Sequence, residues 1–292
     1  MNTLEKYLKK REKKIVHLLK KNSKMYEPSL FHALRVEIKK VKAIAALAEY
    51  STDDLKSKKA LKPYKSLFKE ARKIWGIQVE ENVFKKYLHK NALTGYRKKL
   101  KEQLVNEYFV FIENINDDLF KKLKRSLHKL KQQVAEIKEK DVRSYLDEEK
   151  KALEDIMKDI LKEKGLKISS LHEFRKQLKR FNYIRNIYRK KENDFQKKKD
   201  ELSDLLGEWH DQHVVMADLK KVIDKDKRKK GKGKRGNRKL GKGKLGKGKM
   251  GKSGKGKTEE RNALNKITKE IALKNELIYK RIKNDNFLVE NT

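Results

Sequence analysis

From Leu4 to Lys20, apolar side chains fall at Leu4, Leu8, Ile15, Leu18 and Leu19, the spacing of one helix face. A polar break near Asn22 to Ser29 follows, with Ser29 as the expected N-cap of a helix reaching about Tyr50. Ser51-Thr52-Asp53-Asp54 reads as a turn with a helix start. Pro63 suits the first turn of a helix through Ala71 to Ile74, which Gly76 is expected to loosen. Long helices are then predicted over Val79 to Phe111 and Asp117 to Lys140, separated near Asn114 to Asn116. The pattern restarts with a helix over Tyr145 to Lys164, Gly165 as its C-cap, and Ser169 or Ser170 capping Leu171 to Lys191. Leu202 to Ile223 and Thr258 to Lys283 complete the set. No run keeps strand alternation, so the predicted class is all-α.

Two segments repeat one pattern. Phe31-His32-Ala33-Leu34-Arg35-Val36-Glu37-Ile38-Lys39-Lys40-Val41 aligns with Leu171-His172-Glu173-Phe174-Arg175-Lys176-Gln177-Leu178-Lys179-Arg180-Phe181. Each reads apolar-His-x-apolar-Arg-x-x-apolar-basic-basic-apolar. Farther on, Gly76-x-x-x-Glu80-x-x-Val83-Phe84 aligns with Gly207-x-x-x-Asp211-x-x-Val214-Val215. An interval of roughly 130 to 140 residues exceeds a solenoid unit and fits a duplicated lobe. The boundary is expected near residue 140, giving lobes over 1–140 and 141–292 within a single domain.

On a helical wheel Leu30, Leu34, Val41, Ala45 and Ala48 form one stripe, while His32, Arg35, Lys39 and Lys42 lie roughly opposite. The second copy sets Phe174, Leu178, Phe181 and Tyr188 against His172, Arg175 and Lys179. Each helix thus buries one face and presents a rail of cations about one turn, roughly 5 Å, apart. Such a stripe on one helix is ordinarily a solvated face. Its repetition with the same residue types argues otherwise, as does the lack of an acid at i+4 beside Lys39-Lys40 and Lys179-Arg180.

Charge sharpens this picture. The chain carries a net +38 over 292 residues, which attracts polyanions: nucleic acid, anionic lipid surfaces or polyphosphate. Lys227 to Lys257 holds 16 of these cations (13 Lys, 3 Arg) and no acid, leaving +22 on the other 261 residues. Its ten glycines and like-charge repulsion predict a disordered insertion over 227–257, either a flexible polycation or a solvated linker. There is no cysteine, which suits a reducing cytoplasm. Apolar stretches such as Ile44 to Ala48 are too short for a membrane span, and the N-terminus lacks a secretory h-region.

The twin segments resemble the conserved histidine α-helical domain family, CHAD. Its His-x-x-Arg-Val helix is similar to His32-Ala33-Leu34-Arg35-Val36 and, in the second copy, to His172-Glu173-Phe174-Arg175 with Lys179-Arg180 and Tyr183. Its Leu-Gly-x-x-His-Asp-x-x-Val signature is similar to Leu206-Gly207-Glu208-Trp209-His210-Asp211-Gln212-His213-Val214. The resemblance spans about Leu4 to Lys283. It implies two similar helical bundles of long antiparallel helices about a pseudo-twofold axis, with a basic surface or channel between them. It also implies binding of inorganic polyphosphate, often at polyphosphate granules. Carried onto this chain, the contacts are His32, Arg35, Lys39, Lys40, Lys42, His172, Arg175, Lys179 and Arg180. Departures include Asn182 where arginine is usual and His213 where an acid is common.

Arginines would hold phosphate oxygens with paired N–H donors, and lysines would act as compact charges. His32 and His172 would donate a hydrogen bond or gain charge below about pH 6.5, or else serve helix packing. Asp211 and Glu80 are expected to order basic groups through ion pairs between helices, or to cap. His210-x-x-His213 has chelating spacing but no third ligand, so neither a metal nor a cofactor is expected. No nucleophilic triad, Walker loop or dinucleotide fingerprint occurs, so an enzyme is not expected. The alternatives are a non-specific nucleic-acid binder, with Tyr96, Tyr108 and Tyr183 available for stacking, and a helical scaffold whose charge only prevents aggregation.

Overall fold

The computed structural model describes residues 2–21, 28–52, 57–90, 93–162, 167–188, 194–236 and 253–284. Among them every regular element is a helix: α1 Thr3–Lys21, α2 Pro28–Ser51, α3 Ser57–Ala60, α4 Lys62–Tyr87, α5 Thr94–Glu113, α6 Asp117–Glu136, α7 Glu139–Lys162, α8 Ile168–Tyr188, α9 Asp194–Gly236 and α10 Ser253–Asn284. The fold is all-α, as its periodicity predicts. No helix among the described residues is long and apolar enough to cross a membrane.

Element boundaries differ from expectation where local chemistry outweighs periodicity. Gly76 does not loosen the chain: α4 runs through it, at the roughly 1 kcal/mol that glycine costs against alanine in a helix. The break comes later. Leu88 is extended and Leu93 is left-handed (φ 55°), so the predicted helix over Val79 to Phe111 is two helices. Similarly α6 stops at Glu136 because Ile137 is extended and partly drawn into the core. Asp141 Oδ2 then accepts from the Lys138 N–H at 2.9 Å, starting α7 six residues before Tyr145. The expected insertion over 227–257 is helical at both margins, since α9 continues to Gly236 and α10 begins at Ser253. Its centre, 237–252, lies outside the described residues, as do Gly165, Asp53-Asp54 and most of 22–29.

Packing follows the apolar faces. α2 is the hub: Phe31, Leu34, Ile38, Val41, Ile44, Leu47 and Ala48 are buried, a far broader face than one stripe. It packs on α1 and α4, while α7 packs on α8 and α9 on α10. α2 also meets α8, and α4 meets α9. Two apolar clusters result. One is built from α1, α2, α4, α5, α6 and the start of α7, with Ile184 of α8. The second gathers α7 to α10 but also takes Ile77, Phe84, Leu88 and Leu100 from the first half. The cores therefore interlock across residue 140 rather than dividing there. These two seams, α2 on α8 and α4 on α9, bring the twin motifs together.

Candidate functional site

The α2 and α8 rails meet. Lys39 is depressed to about 7, first by burial, then by the charges of Arg35, Lys179 and Arg175, with Asp211 opposing. Lys179 is lowered to about 8 by burial and then by Arg175, while Asp204 and Asp211 act to raise it and Arg35 to lower it further. Burial likewise lowers Arg35, whose surroundings include Asp211, Arg72, Arg175 and Tyr183. Arg175 shares Asp211 and Tyr183. Four cations from two helices thus stand in one another's fields around one carboxylate that acts on all four.

Asp211 is that carboxylate. Despite burial its pKa is held below the ordinary aspartate value by His210, which it also meets at 3.1 Å, and by Arg175 and Arg35. The ion pairs expected from Asp211 to other helices are not formed among the described residues: its close partner is His210 on its own helix, and Arg175 and Arg35 act on it from farther away. Among the described residues, no carboxylate pairs directly with Arg35, Lys39, Arg175 or Lys179. The Nε–H groups of both Arg35 and Arg175 are buried without an acceptor. Twin positions therefore carry twin unused donors.

Neighbouring groups fix these side chains. Gly207 on α9 is where Lys179 crosses; a Cβ there would lie 3.7 Å from its Nζ. The Arg35 guanidinium sits over Phe68 and Trp75 of α4, at 5.5 and 5.8 Å from the ring centres. His32 packs on Trp75 at 4.6 Å, and His172 stacks on His210 at 5.1 Å. Both His32 and His172 are lowered by burial and then by adjacent positive groups. They are therefore neutral near pH 7, and the expected charging of these rings moves to more acidic conditions. Tyr183 is pushed up to about 12 by burial, near both Arg175 and Arg35.

Other predicted members lie elsewhere. Lys40 is 3.0 Å from Glu37, which also holds Arg11 at 2.8 Å and Lys14 at 3.2 Å. Arg180 is 2.8 Å from Glu149, with Gln177 donating to the same carboxylate. The missing acid at i+4 is supplied at i−3 or from another helix, so these two cations belong to packing networks. Lys42 turns toward α4, over Phe68 at 5.4 Å and in the field of Lys65. Glu80, the repeat partner of Asp211, does not order the rails. It accepts from Tyr96 Oη at 2.8 Å, and burial raises its pKa. His213 lies on Trp209 at 4.5 Å, and His210 meets Asp211 at 3.1 Å. Tyr108 is core, against Phe31. Sequence reading missed Arg72 and Asp204, whose charges act on Arg35 and Lys179 respectively. The i, i+4, i+7 spacing of Phe68, Arg72 and Trp75 is the signal that marks the α4 wall.

A family model described as CHAD domain matches residues 12–220, a stretch containing all the residues that meet around Asp211. Among solved structures, the crystal structure of the CHAD domain from the plant Ricinus communis aligns with a TM-score of 0.70. The two are 11% identical over 96% of this chain and 90% of that one, a likeness of fold. A comparison with curated proteins finds no match.

Proposed function

Because this chain belongs to the CHAD domain family, we propose that it binds inorganic polyphosphate at the seam of α2 and α8, as a binding protein rather than a catalyst. One observation carries this reading: Arg35, Lys39, Arg175 and Lys179 converge around Asp211 without direct carboxylate partners. Like charges about 8 Å apart repel by roughly 2 kcal/mol at an effective dielectric constant of 20. A fold that gathers four of them around Asp211, with Asp204 acting on Lys179, is destabilised until an anion arrives. A phosphate chain offers closely repeating oxygens, which suits cations set one helical turn apart on facing rails. The buried Nε–H groups of Arg35 and Arg175 supply matched donors from the two sides. Reciprocal seams, α2 on α8 and α4 on α9, support the reading of two related bundles around one site. A cytoplasmic place at polyphosphate granules accords with this ligand.

Competition binding separates this from general polyanion affinity. At fixed ionic strength, long-chain polyphosphate should displace DNA and RNA at equal phosphate concentration, with an affinity that falls as salt rises through counterion release. Displacement of polyphosphate by DNA or RNA would refute the proposal.

A further inference from the structure

One cavity among the described residues lies away from the Asp211 cluster. It is a cleft of about 1030 Å³ between the α3–α4 corner and α6. One wall carries Lys59 and Lys62, the other Arg125 and Lys129. Arg125 and Lys129 are four residues apart and point the same way. Ser126 Oγ donates to the Ala60 carbonyl at 2.5 Å and ties the two walls at the floor. A fifth cation, Lys122, is neutralised by Asp118. Glu70 and Glu136 also line the cleft, so four unneutralised cations face two acids. Glu70 is pushed up by burial, although Asn114 and Ser66 hydrogen-bond to it.

The cleft is joined to the α2–α8 seam through α4. Lys42, next along the α2 rail after Lys39, lies over the Phe68 ring of α4 at 5.4 Å, one turn along from Lys65, whose charge acts on it. Lys65 stands between Lys62 and Ser66, both of which line the cleft. Basic groups thus continue from Arg35 and Lys39, past Lys42 and Lys65, to Lys62 and the facing α6 wall. We propose that this cleft is a second anion-binding station, filled by the same phosphate chain once it is long enough to run past Lys42 and Lys65. The inference rests on the polyphosphate reading above and adds a length dependence to it.

The test compares triphosphate with long-chain polyphosphate on the full chain. The variant Lys62→Ala/Arg125→Ala/Lys129→Ala removes three exposed cations. It should leave triphosphate affinity unchanged while long-chain affinity falls, with the salt slope of log K shallower by about 2, at roughly 0.7 per lost cation. Arg125→Lys/Lys129→Arg keeps the charges and should keep long-chain affinity. Should the triple variant not fold, the wild-type chain still answers: its salt slope should be steeper for the long chain than for triphosphate. Equal slopes, or an unchanged long-chain affinity in a folded triple variant, overturn the second station alone. If neither ligand binds the wild-type chain, the polyphosphate reading itself fails.

Discussion

Half-buried Lys39 on α2 lies in the positive field of Lys179 on α8, across the seam between the two repeated helices. Two residues 140 positions apart thus behave as members of one charge cluster. Most of what the site does follows from this like-charge repulsion and from Asp211, whose charge acts on both lysines.

Removing this repulsion should stabilise the empty protein. Lys39→Met with Lys179→Met deletes two half-buried positive charges and keeps their aliphatic bulk. Thermal denaturation should show a gain of about 1 kcal/mol, in the range typical of relieved surface-charge conflicts. The same variant should lose polyphosphate affinity. A loss of stability would mean that the lysines serve packing instead.

Proton linkage gives opposite signs for stability and binding. The folded pKa values, about 7 for Lys39 and about 8 for Lys179, lie below that of unfolded lysine, near 10.5. Between those limits the unfolded chain holds more protons, so empty-state stability should rise as pH increases from about 7 to 9.5. Bound phosphate favours the charged lysines, so complex formation should take up protons and affinity should fall across the same interval. Calorimetry in buffers of different ionisation enthalpy measures that uptake. Proton release on binding would contradict the assignment.

The histidines should contribute little to such a profile. Burial lowers His32 and His172, and both are neutral near pH 7. His32→Gln and His172→Gln should change affinity by less than about tenfold, or 1.4 kcal/mol, and leave the pH 7 to 9 profile in place. Titration of affinity against pH checks this. Disappearance of the profile in either variant would return the switch to the rings.

The Arg11–Glu37 pair is a separate, structural element, with both side chains almost fully buried. Glu37→Ala leaves the Arg11 guanidinium buried and should cost roughly 3–5 kcal/mol. Arg11→Met with Glu37→Leu should cost much less, because no charge is then stranded. Denaturant unfolding of the two singles and the double tests this, and equal losses in all three would refute it.

The second copy of the motif holds an equivalent charge pair with its polarity reversed. Gln177 stands where Glu37 stands in the first copy, and Glu149 of α7 supplies the carboxylate that holds Arg180. This explains why Lys40 and Arg180 read as rail members in sequence. Their partners sit on other turns or other helices, and i+4 spacing does not register them. Helical class, the apolar stripes and the twin Arg-x-x-x-Lys steps were legible, because each follows from local periodicity. Helix ends at Leu88 and Ile137 were not, since they depend on backbone states that hydropathy does not encode. Nor was the α4 wall of Phe68, Arg72 and Trp75, whose role exists only after α4 packs on α2. The divergence of Glu80 from Asp211 was hidden for the same reason: the repeat equates them, and their neighbours separate them.

The most direct test of one shared site is paired charge removal on each rail. Arg35→Ala/Lys39→Ala and Arg175→Ala/Lys179→Ala should each lower triphosphate affinity at least about tenfold, 1.4 kcal/mol, with helicity retained. Combining all four should cost less than the sum, as expected for groups that grip one ligand. If either pair alone leaves affinity unchanged, or the two losses simply add, the rails are independent surfaces and the account is wrong.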